Sequence, residues 1–143
     1  MAREYKDVTA VWTEGLQFEA KGQSEERVLM DGNGRLGLGP MEMLLAGLAG
    51  CTGADVIDIL KKKRQDVTGL EIRVHGDRAS ENPKKFTDIQ VTFVLTGRNV
   101  DPEAVRRSIQ LSETKYCGAS ATLRGVARIT TSFEIHAAEP VAA

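Results

Sequence analysis

Residues 39–64 form an apolar segment with clear helix signals at both ends, GPMEMLLAGLAGCTGADVIDILKKKR. Pro40 suits the first position of a helix, because its φ is already helical and its missing N–H would be unpaired there. Four basic residues, 61–64, place positive charge where the negative end of the helix dipole would lie. The uncharged run between Glu42 and Asp55 is well short of the roughly 20 residues that cross a bilayer. The pattern therefore predicts one long buried helix rather than a membrane span.

Small residues mark one face of this helix. Ala46, Gly50 and Ala54 recur every four positions, so they share a face that another backbone could approach closely. Each of the three glycines inside the helix costs about 1 kcal/mol relative to alanine, and we expect a close contact to offset that cost. Gly47 and Cys51 form an adjacent row, so Cys51 is expected to lie in the contact face. The residues alone leave two readings of it open, a small buried hydrophobe or a sheltered reactive thiol.

Shorter segments on both sides of the helix predict strands. Residues 8–14, 16–20 and 28–31 precede it, and residues 70–75, a segment starting at Phe86 and residues 126–136 follow it with alternating apolar and polar positions. We expect the strand of residues 70–75 and the strand that starts at Phe86 to pair antiparallel.

A second helix should begin at Asp101 and Pro102, as N-cap and first residue, and end near Cys117 and Gly118. The order of elements predicts an α+β domain. The first three strands are too short to be stable alone. They need another surface to cover them, which a partner subunit could supply.

Composition narrows the possible functions. A chain of 143 residues fits a single domain, residues 1–143, with a sizeable core. Its 19 basic and 20 acidic residues nearly cancel, so no attraction to nucleic acid or to an anionic membrane is expected. The opening MAREYKDV has no charged-then-apolar leader, which favours a cytoplasmic protein. In that reducing compartment a disulfide is more often catalytic or redox-sensing than structural.

No motif in the sequence predicts a metal or a cofactor. The glycine-rich loop of residues 31–39 lacks the lysine and hydroxyl spacing of a phosphate-binding loop. Cys51, His75, Cys117 and His136 lack the paired spacing of structural zinc ligands. We interpret both histidines as solvated side chains on polar strand faces.

Several segments together resemble a known family. The order PME, LLAGLAGC and DVIDILKKKR, then LSETKYCGASATL, then an alternating C-terminal strand resembles the OsmC/Ohr family, in particular its YhfA-like branch. The resemblance covers nearly the whole chain. It implies an OsmC-like fold, in which antiparallel sheets wrap around long central helices in an intertwined homodimer with a two-cysteine site at the subunit interface.

The resemblance also implies a chemistry, the thiol-dependent reduction of organic hydroperoxides. By it, Cys51 is the peroxidatic cysteine and forms a sulfenic acid, and Cys117 is the resolving cysteine that condenses with it to a disulfide. The implied partners are a small hydrophobic peroxide and an external dithiol. Apolar side chains such as Leu45, Leu48 and Phe93 are expected to line the substrate pocket.

The sequence departs from the family where the thiolate needs support. In hydroperoxide reductases of this family, an arginine near the N-terminus is held by a glutamate directly after the proline of the helix start. Met41 occupies that glutamate position, and the first strand pair contains Trp12 and Glu14 but no arginine. Arg35 and Glu42 are the tentative substitutes. Glu42 also has a simpler interpretation, as a helix-start carboxylate that complements the dipole.

The electrostatics of the cysteines leave an alternative function open. A cysteine in the middle of a helix gains little from the dipole, and Asp55, one turn after Cys51, would oppose its ionisation. Cys117 is expected near a helix C-terminus, which is also unfavourable for a thiolate. The alternative is a non-enzymatic OsmC-like stress or redox-sensor protein that binds an apolar ligand.

Overall fold

The computed structural model describes residues 4–139 and confirms the α+β class. The elements are, in order, β1 (Thr9–Glu14), β2 (Gln17–Lys21), β3 (Arg27–Asp31), α1 (Pro40–Lys62), β4 (Asp66–Arg78), β5 (Phe86–Arg98), α2 (Pro102–Leu111), a π-helical turn (Ser112–Tyr116), α3 (Gly118–Arg124) and β6 (Arg128–Ala137). Packing divides the chain into two compact units, with the boundary between Leu44 and Leu45. That residues 1–143 act as one domain stays a prediction.

The N-terminal unit contains a three-stranded antiparallel sheet in the order β1-β2-β3. Trp12 pairs with Phe18, and Phe18 with Met30, so these side chains form a row across one face. Trp12 is 63% exposed and Phe18 39% exposed. Both of these side chains are therefore exposed. That another surface covers this sheet, as the short strands led us to expect, stays a prediction.

Asp31 organises the loop between β3 and α1. Its carboxylate accepts hydrogen bonds from the backbone N–H groups of Asn33 (2.9 Å), Arg35 (3.2 Å) and Leu36 (3.0 Å). These donors, Leu36 foremost, hold the pKa of Asp31 below its ordinary value. The loop thus uses its own backbone donors to bind its own aspartate.

Local hydrogen bonds define both ends of helix α1. Glu42 Oε1 accepts from the N–H of Gly39 (2.9 Å), which is the backward half of a capping box. At the other end Gln65 N–H donates to Leu60 O, and Arg64 adopts a left-handed conformation with φ of 57°, as in a Schellman motif. The predicted helix is confirmed to within two residues at each end.

Only one face of α1 is buried. Its buried residues are Leu48, Thr52, Gly53, Val56 and Leu60, and a Cβ on Gly53 would lie 2.6 Å from Ile72 Cδ1 of β4, so helix and strand approach closely there. By length and composition alone α1 could cross a membrane, a test that the core helix of a folded domain also passes. The prediction of a buried helix is therefore confirmed for one face, and contact of the small-residue face with another backbone stays a prediction.

The C-terminal unit is built on a second three-stranded sheet in the order β4-β5-β6. The predicted antiparallel pairing of β4 and β5 is confirmed. β6, however, pairs parallel to β5, so the expectation of antiparallel sheets is wrong for this pair. The reason is the long connection through α2 and α3, which returns the chain to the starting end of the sheet, as parallel pairing requires.

The second predicted helix begins as expected but is interrupted. Asp101 Oδ1 accepts from the N–H of Glu103 (2.9 Å), which confirms the N-cap. The α-helix ends at Leu111, and the π-helical turn that follows closes with a 2.8 Å bond from Cys117 N–H to Ser112 O. Because this wider turn shifts the helix face, Tyr116 is 53% exposed.

Candidate redox site

Both predicted cysteines lie in the C-terminal unit, and both are free thiols. Cys51 lies in the middle of α1 and is half-buried, whereas Cys117 is 3% exposed. The segments that carry them are adjacent, since Ser112 Oγ lies 2.8 Å from Oγ1 of Thr52, the residue after Cys51, and the Ser112 carbonyl accepts the N–H of Cys117 at 2.8 Å. The structure thus brings together two cysteines that are 66 positions apart, one more accessible than the other.

The local geometry of Cys117 differs from our expectation. Cys117 has an extended backbone (φ −78°, ψ 104°) and serves as the N-cap of α3, where its Sγ accepts from the N–H of Ser120 at 3.3 Å. Cys117 is also the C-cap of the π-helical turn, so the expected position near a helix C-terminus is confirmed, whereas the start of a new helix at the same residue was not expected. The π-helical turn explains the difference, because it ends the preceding helix and lets a new helix start at Gly118.

The surroundings of Cys117 favour its neutral form. Burial is the largest influence and raises the pKa of the thiol, and hydrogen bonding to Cys51 and the charges of Cys51 and Asp55 raise it further. The Ser120 N–H lowers the pKa but is outweighed. Cys117 is thus a protonated, sheltered thiol, which suits a group that reacts second rather than first.

A buried cluster of two hydroxyls and a carboxylate lies next to the thiols. Thr52 Oγ1 and Ser112 Oγ are 2.8 Å apart, and Ser112 Oγ donates to Asp55 Oδ2 at 2.9 Å. Thr52 and Ser112 are both buried. Sequence reasoning did not name either hydroxyl as part of the site. The available signal was the helical spacing of Ser112 from Val105 and Ile109, which places a hydroxyl on an apolar face, where it needs a partner once buried.

A second polar network begins at the cap of Cys117. Arg124 Nη2 donates to Ser120 Oγ (2.9 Å) and lies 3.8 Å from Glu113 Oε1, while Thr131 Oγ1 donates to Glu113 Oε2 (3.3 Å). Ser120, whose N–H binds the Cys117 sulfur, is thereby linked to a guanidinium. Nothing in the sequence pattern singled out Arg124, because its contact depends on the turn into α3.

The two tentative support residues belong to the N-terminal unit. Arg35 has an exposed side chain, and only its backbone N–H is used by Asp31. Glu42 caps α1 through Gly39, as its simpler interpretation predicted. It precedes Cys51 on the same helix by about 13.5 Å along the axis, at 1.5 Å per residue. A catalytic role for either residue stays a prediction.

The expected pocket lining is corrected in part. Leu48 and Phe93 are fully enclosed in the core, so they cannot face a substrate, and only Leu45 is half-buried at the surface. A cavity of about 230 Å³ does reach the site, with Asp55 in its wall. Its other lining residues are Asp58, Ile59, Lys62, Leu111 and Tyr116.

Neither histidine belongs to the site. His75 lies 3.0 Å from Asp77, and His136 lies 3.1 Å from Glu134, both on exposed strand faces. Within residues 4–139, no three side chains of the metal-binding types cluster to hold an ion. The groups assembled around Cys51 and Cys117 are thiols, hydroxyls and a carboxylate, a set suited to thiol chemistry.

Comparison with known proteins decides the family. A sequence model described as OsmC-like protein matches residues 31–132. The chain belongs to the OsmC-like family. Among relatives of this OsmC-like chain, Protein YhfA of Escherichia coli (strain K12) is 42% identical over 128 residues, which cover 89% of this chain and 96% of that protein. The resemblance inferred from the residues around the two cysteines is thereby confirmed.

Solved structures share the OsmC-like fold. A hypothetical protein from Aquifex aeolicus VF5 has a TM-score of 0.87 at 31% identity, covering 96% of this chain and 100% of that one. The organic hydroperoxide resistance protein OhrB of Bacillus subtilis has a TM-score of 0.61 at 19% identity, covering 92% of this chain and 98% of that one. The second likeness bears on the fold alone.

Proposed function

We propose that this OsmC-like protein reduces organic hydroperoxides with its two thiols. The observation that carries the proposal is that a half-buried Cys51 and a buried Cys117 lie on adjacent segments that Ser112 links by hydrogen bonds. A thiol peroxidase of this kind needs one accessible sulfur to meet the peroxide and a second one within reach to resolve the product. The name of the Bacillus subtilis neighbour, an organic hydroperoxide resistance protein, agrees with this chemistry.

The proposed cycle has three steps. The Cys51 thiolate attacks one peroxide oxygen, the O–O bond breaks, and the alkoxide leaves and takes up a proton to become an alcohol. Cys51 is then a sulfenic acid. The Cys117 sulfur attacks the Cys51 sulfur, losing its proton, and the sulfenic oxygen leaves as water, which forms the disulfide. An external dithiol reduces the disulfide by exchange and is itself oxidised.

We further propose that the active form is a homodimer in the cytoplasm. Ala46, Gly50 and Ala54 of α1 are exposed within the chain, and a Cβ on Gly50 would meet nothing within 4 Å. A second copy packed there would cover the small-residue face and could complete an apolar pocket for a hydrophobic peroxide. Two free cysteines are compatible with a reducing compartment.

One observation favours a second function, a redox sensor that binds an apolar ligand. By the resemblance, an arginine and a glutamate support the attacking thiolate in this family, and this sequence lacks both at the matching positions, since Met41 follows Pro40 and the first strand pair has no arginine. Such surroundings would slow thiolate attack and leave a protein that is oxidised once rather than one that turns over. The sensor requires a single oxidation event, whereas the enzyme requires repeated turnover with a dithiol.

The test is a peptide mass analysis after one equivalent of an organic hydroperoxide, combined with turnover in the presence of a dithiol. In the wild type we expect a Cys51–Cys117 disulfide and continued peroxide consumption. Cys117→Ser should trap a sulfenic acid on Cys51, and Cys51→Ser should consume no peroxide, because the attacking sulfur is gone. Disulfide formation without turnover would favour the sensor. Two unreacted thiols in the wild type would contradict both functions.

A further inference from the structure

Ser112 connects the two cysteine-bearing segments through two different groups. It is fully buried at the junction between α2 and the π-helical turn. Its side chain contacts α1, which carries Cys51, and its carbonyl accepts the N–H of Cys117 at 2.8 Å. One residue therefore bonds both to the helix of the first cysteine and to the backbone of the second.

The hydrogen bonds of Ser112 have only one consistent arrangement. A serine hydroxyl has a single proton, and Ser112 uses it to donate to Asp55 Oδ2, because an ionised carboxylate can only accept. The 2.8 Å contact with Thr52 Oγ1 must then be donated by Thr52. Both the donor and an acceptor lone pair of Ser112 are fixed, so its hydroxyl cannot turn to another partner without leaving a buried group unpaired.

The two partners of Ser112 on α1 both follow Cys51 within one helical turn. Thr52 follows Cys51 directly, and Asp55 lies four positions later, one helical turn along the same face. The Ser112 hydroxyl thus holds the first residue of the π-helical turn against α1, within one helical turn of Cys51. The five-residue turn then carries the chain to Cys117, whose N–H returns to the Ser112 carbonyl.

We propose that Ser112 is a positioning residue that holds the Cys117 sulfur against Cys51 and thereby favours their disulfide. It touches no substrate, and it acts through the turn that ends at Cys117. The inference deepens the proposed function and rests on it only for the assignment of Cys51 and Cys117 as the reacting pair. It adds a residue that sets the equilibrium between dithiol and disulfide.

Helix α2, which ends directly before Ser112, offers a matched control. Ser108 is as fully buried as Ser112 and precedes it by four positions. Its hydroxyl donates to Val105 O at 2.8 Å, within its own helix. Ser108→Ala and Ser112→Ala therefore remove the same atom from equally buried sites, but only the second removes a link between α1 and the turn that ends at Cys117.

The experiment measures the Cys51–Cys117 disulfide in glutathione buffers of known ratio at pH 7. Oxidised glutathione takes two electrons from the dithiol and is released as two reduced molecules, so the equilibrium constant follows from the fraction of disulfide in quenched samples. We expect Ser112→Ala to lower this constant about tenfold, the size of one buried hydrogen bond. Ser108→Ala should stay within about twofold of the wild type.

Two further variants keep the test decisive if Ser112→Ala fails to fold. Thr52→Val removes the donor to Ser112 while keeping the shape of the side chain, and we expect a shift in the same direction but smaller. Asp55→Asn keeps an acceptor for Ser112 but removes the charge, so at pH 7 it should stay close to the wild type. A merely structural role would lower the unfolding midpoints of these variants without this order of equilibrium constants.

The inference and the proposed function fail in different ways. Equal constants for Ser112→Ala and Ser108→Ala would overturn the positioning role, whatever the peroxide assay shows. A wild type that forms the disulfide with glutathione and keeps the expected order of variants, but consumes no peroxide, would overturn only the proposed function. A wild type that forms no Cys51–Cys117 disulfide at any glutathione ratio would overturn both.

Discussion

The two compact units place similar apolar side chains in opposite environments. In the unit that starts at Leu45, the alternating residues of β5 are enclosed, and Phe93 and Leu95 have no exposed surface. Among residues 4–44, in contrast, Asp31 is the one residue classed as buried. Trp12 and Phe18 lie on the same face of a sheet and are both exposed. An alternating pattern therefore produces a core only where a helix packs on the strand, as α1 does on β4.

This difference indicates that the N-terminal sheet depends on another surface. A strand pattern states which side chains share a face, but the free energy of burial is gained only when that face leaves water. A three-stranded sheet with exposed apolar residues gains little of it. The homodimer proposed above would supply the missing surface, and the predictions below test the contrast between the units.

The largest expected effect separates Phe93 from Phe18. Phe93→Ala should lower the free energy of unfolding by about 3–5 kcal/mol, because it opens a cavity in an enclosed core. Phe18→Ala should cost roughly 0.5 kcal/mol or less in dilute protein, as for other surface positions. Its cost should increase at concentrations where a partner covers the sheet. Denaturant unfolding at two protein concentrations measures both values.

The contrast would be lost if Phe18→Ala were as costly as Phe93→Ala in monomeric protein. That result would mean that the N-terminal sheet is covered by the chain itself in solution. An equal, concentration-independent cost would also remove the main reason to propose a partner for this face.

Much of the fold could be predicted because its signals are local. The ends of α1 follow from Pro40 and the basic residues 61–64, and the start of α2 follows from Asp101. The parallel pairing of β6 could not be predicted, because it depends on the path of the whole connection rather than on residues in the strand. The same holds for the π-helical turn, since no residue in SETKY marks an extra residue per turn.

The site divides in the same way. Cys51 and Cys117 stood out as chemically distinctive side chains, and the resemblance paired them. Thr52, Ser112 and Arg124 were missed because serine, threonine and arginine are common, and their significance comes from partners far away in sequence. The environment of Cys117 was predicted only in part: the helix C-terminus expected there is present, but the same residue is also the N-cap of α3, which no pattern in the sequence indicated.

A smaller effect should distinguish two glycines of α1. A Cβ on Gly50 would meet open space within the chain, whereas one on Gly53 would lie 2.6 Å from Ile72 Cδ1. In a monomer, Gly50→Ala should raise helix stability by up to about 1 kcal/mol. In the proposed homodimer, the added methyl would instead prevent close approach of the partner helix and cost about 1–3 kcal/mol. We expect the dimer dissociation constant, measured by sedimentation equilibrium, to rise about tenfold.

Gly53→Ala serves as the control for that measurement. Its contact with Ile72 lies within one chain, so any loss of stability should not depend on protein concentration. A Gly50→Ala variant that is more stable than the wild type at every concentration would contradict a partner at this face of α1.

The smallest expected effect concerns Asp31, the buried residue of the N-terminal unit. Backbone N–H groups, that of Leu36 foremost, lower the pKa of its carboxyl in the folded state, whereas an unfolded aspartate titrates near about 3.9. Its contribution to stability is therefore present above the unfolded value and is lost as the pH falls through the lower folded value.

We expect the Asp31 carboxyl resonance to titrate below about 3.9. The amide protons of Asn33, Arg35 and Leu36 should lose protection from exchange over the same pH range. In Asp31→Asn that acid-dependent loss should disappear, because no carboxylate titrates at the centre of the loop. If the amides of the wild type instead exchanged at the same rate above and below the transition, the carboxylate would not be what orders this loop.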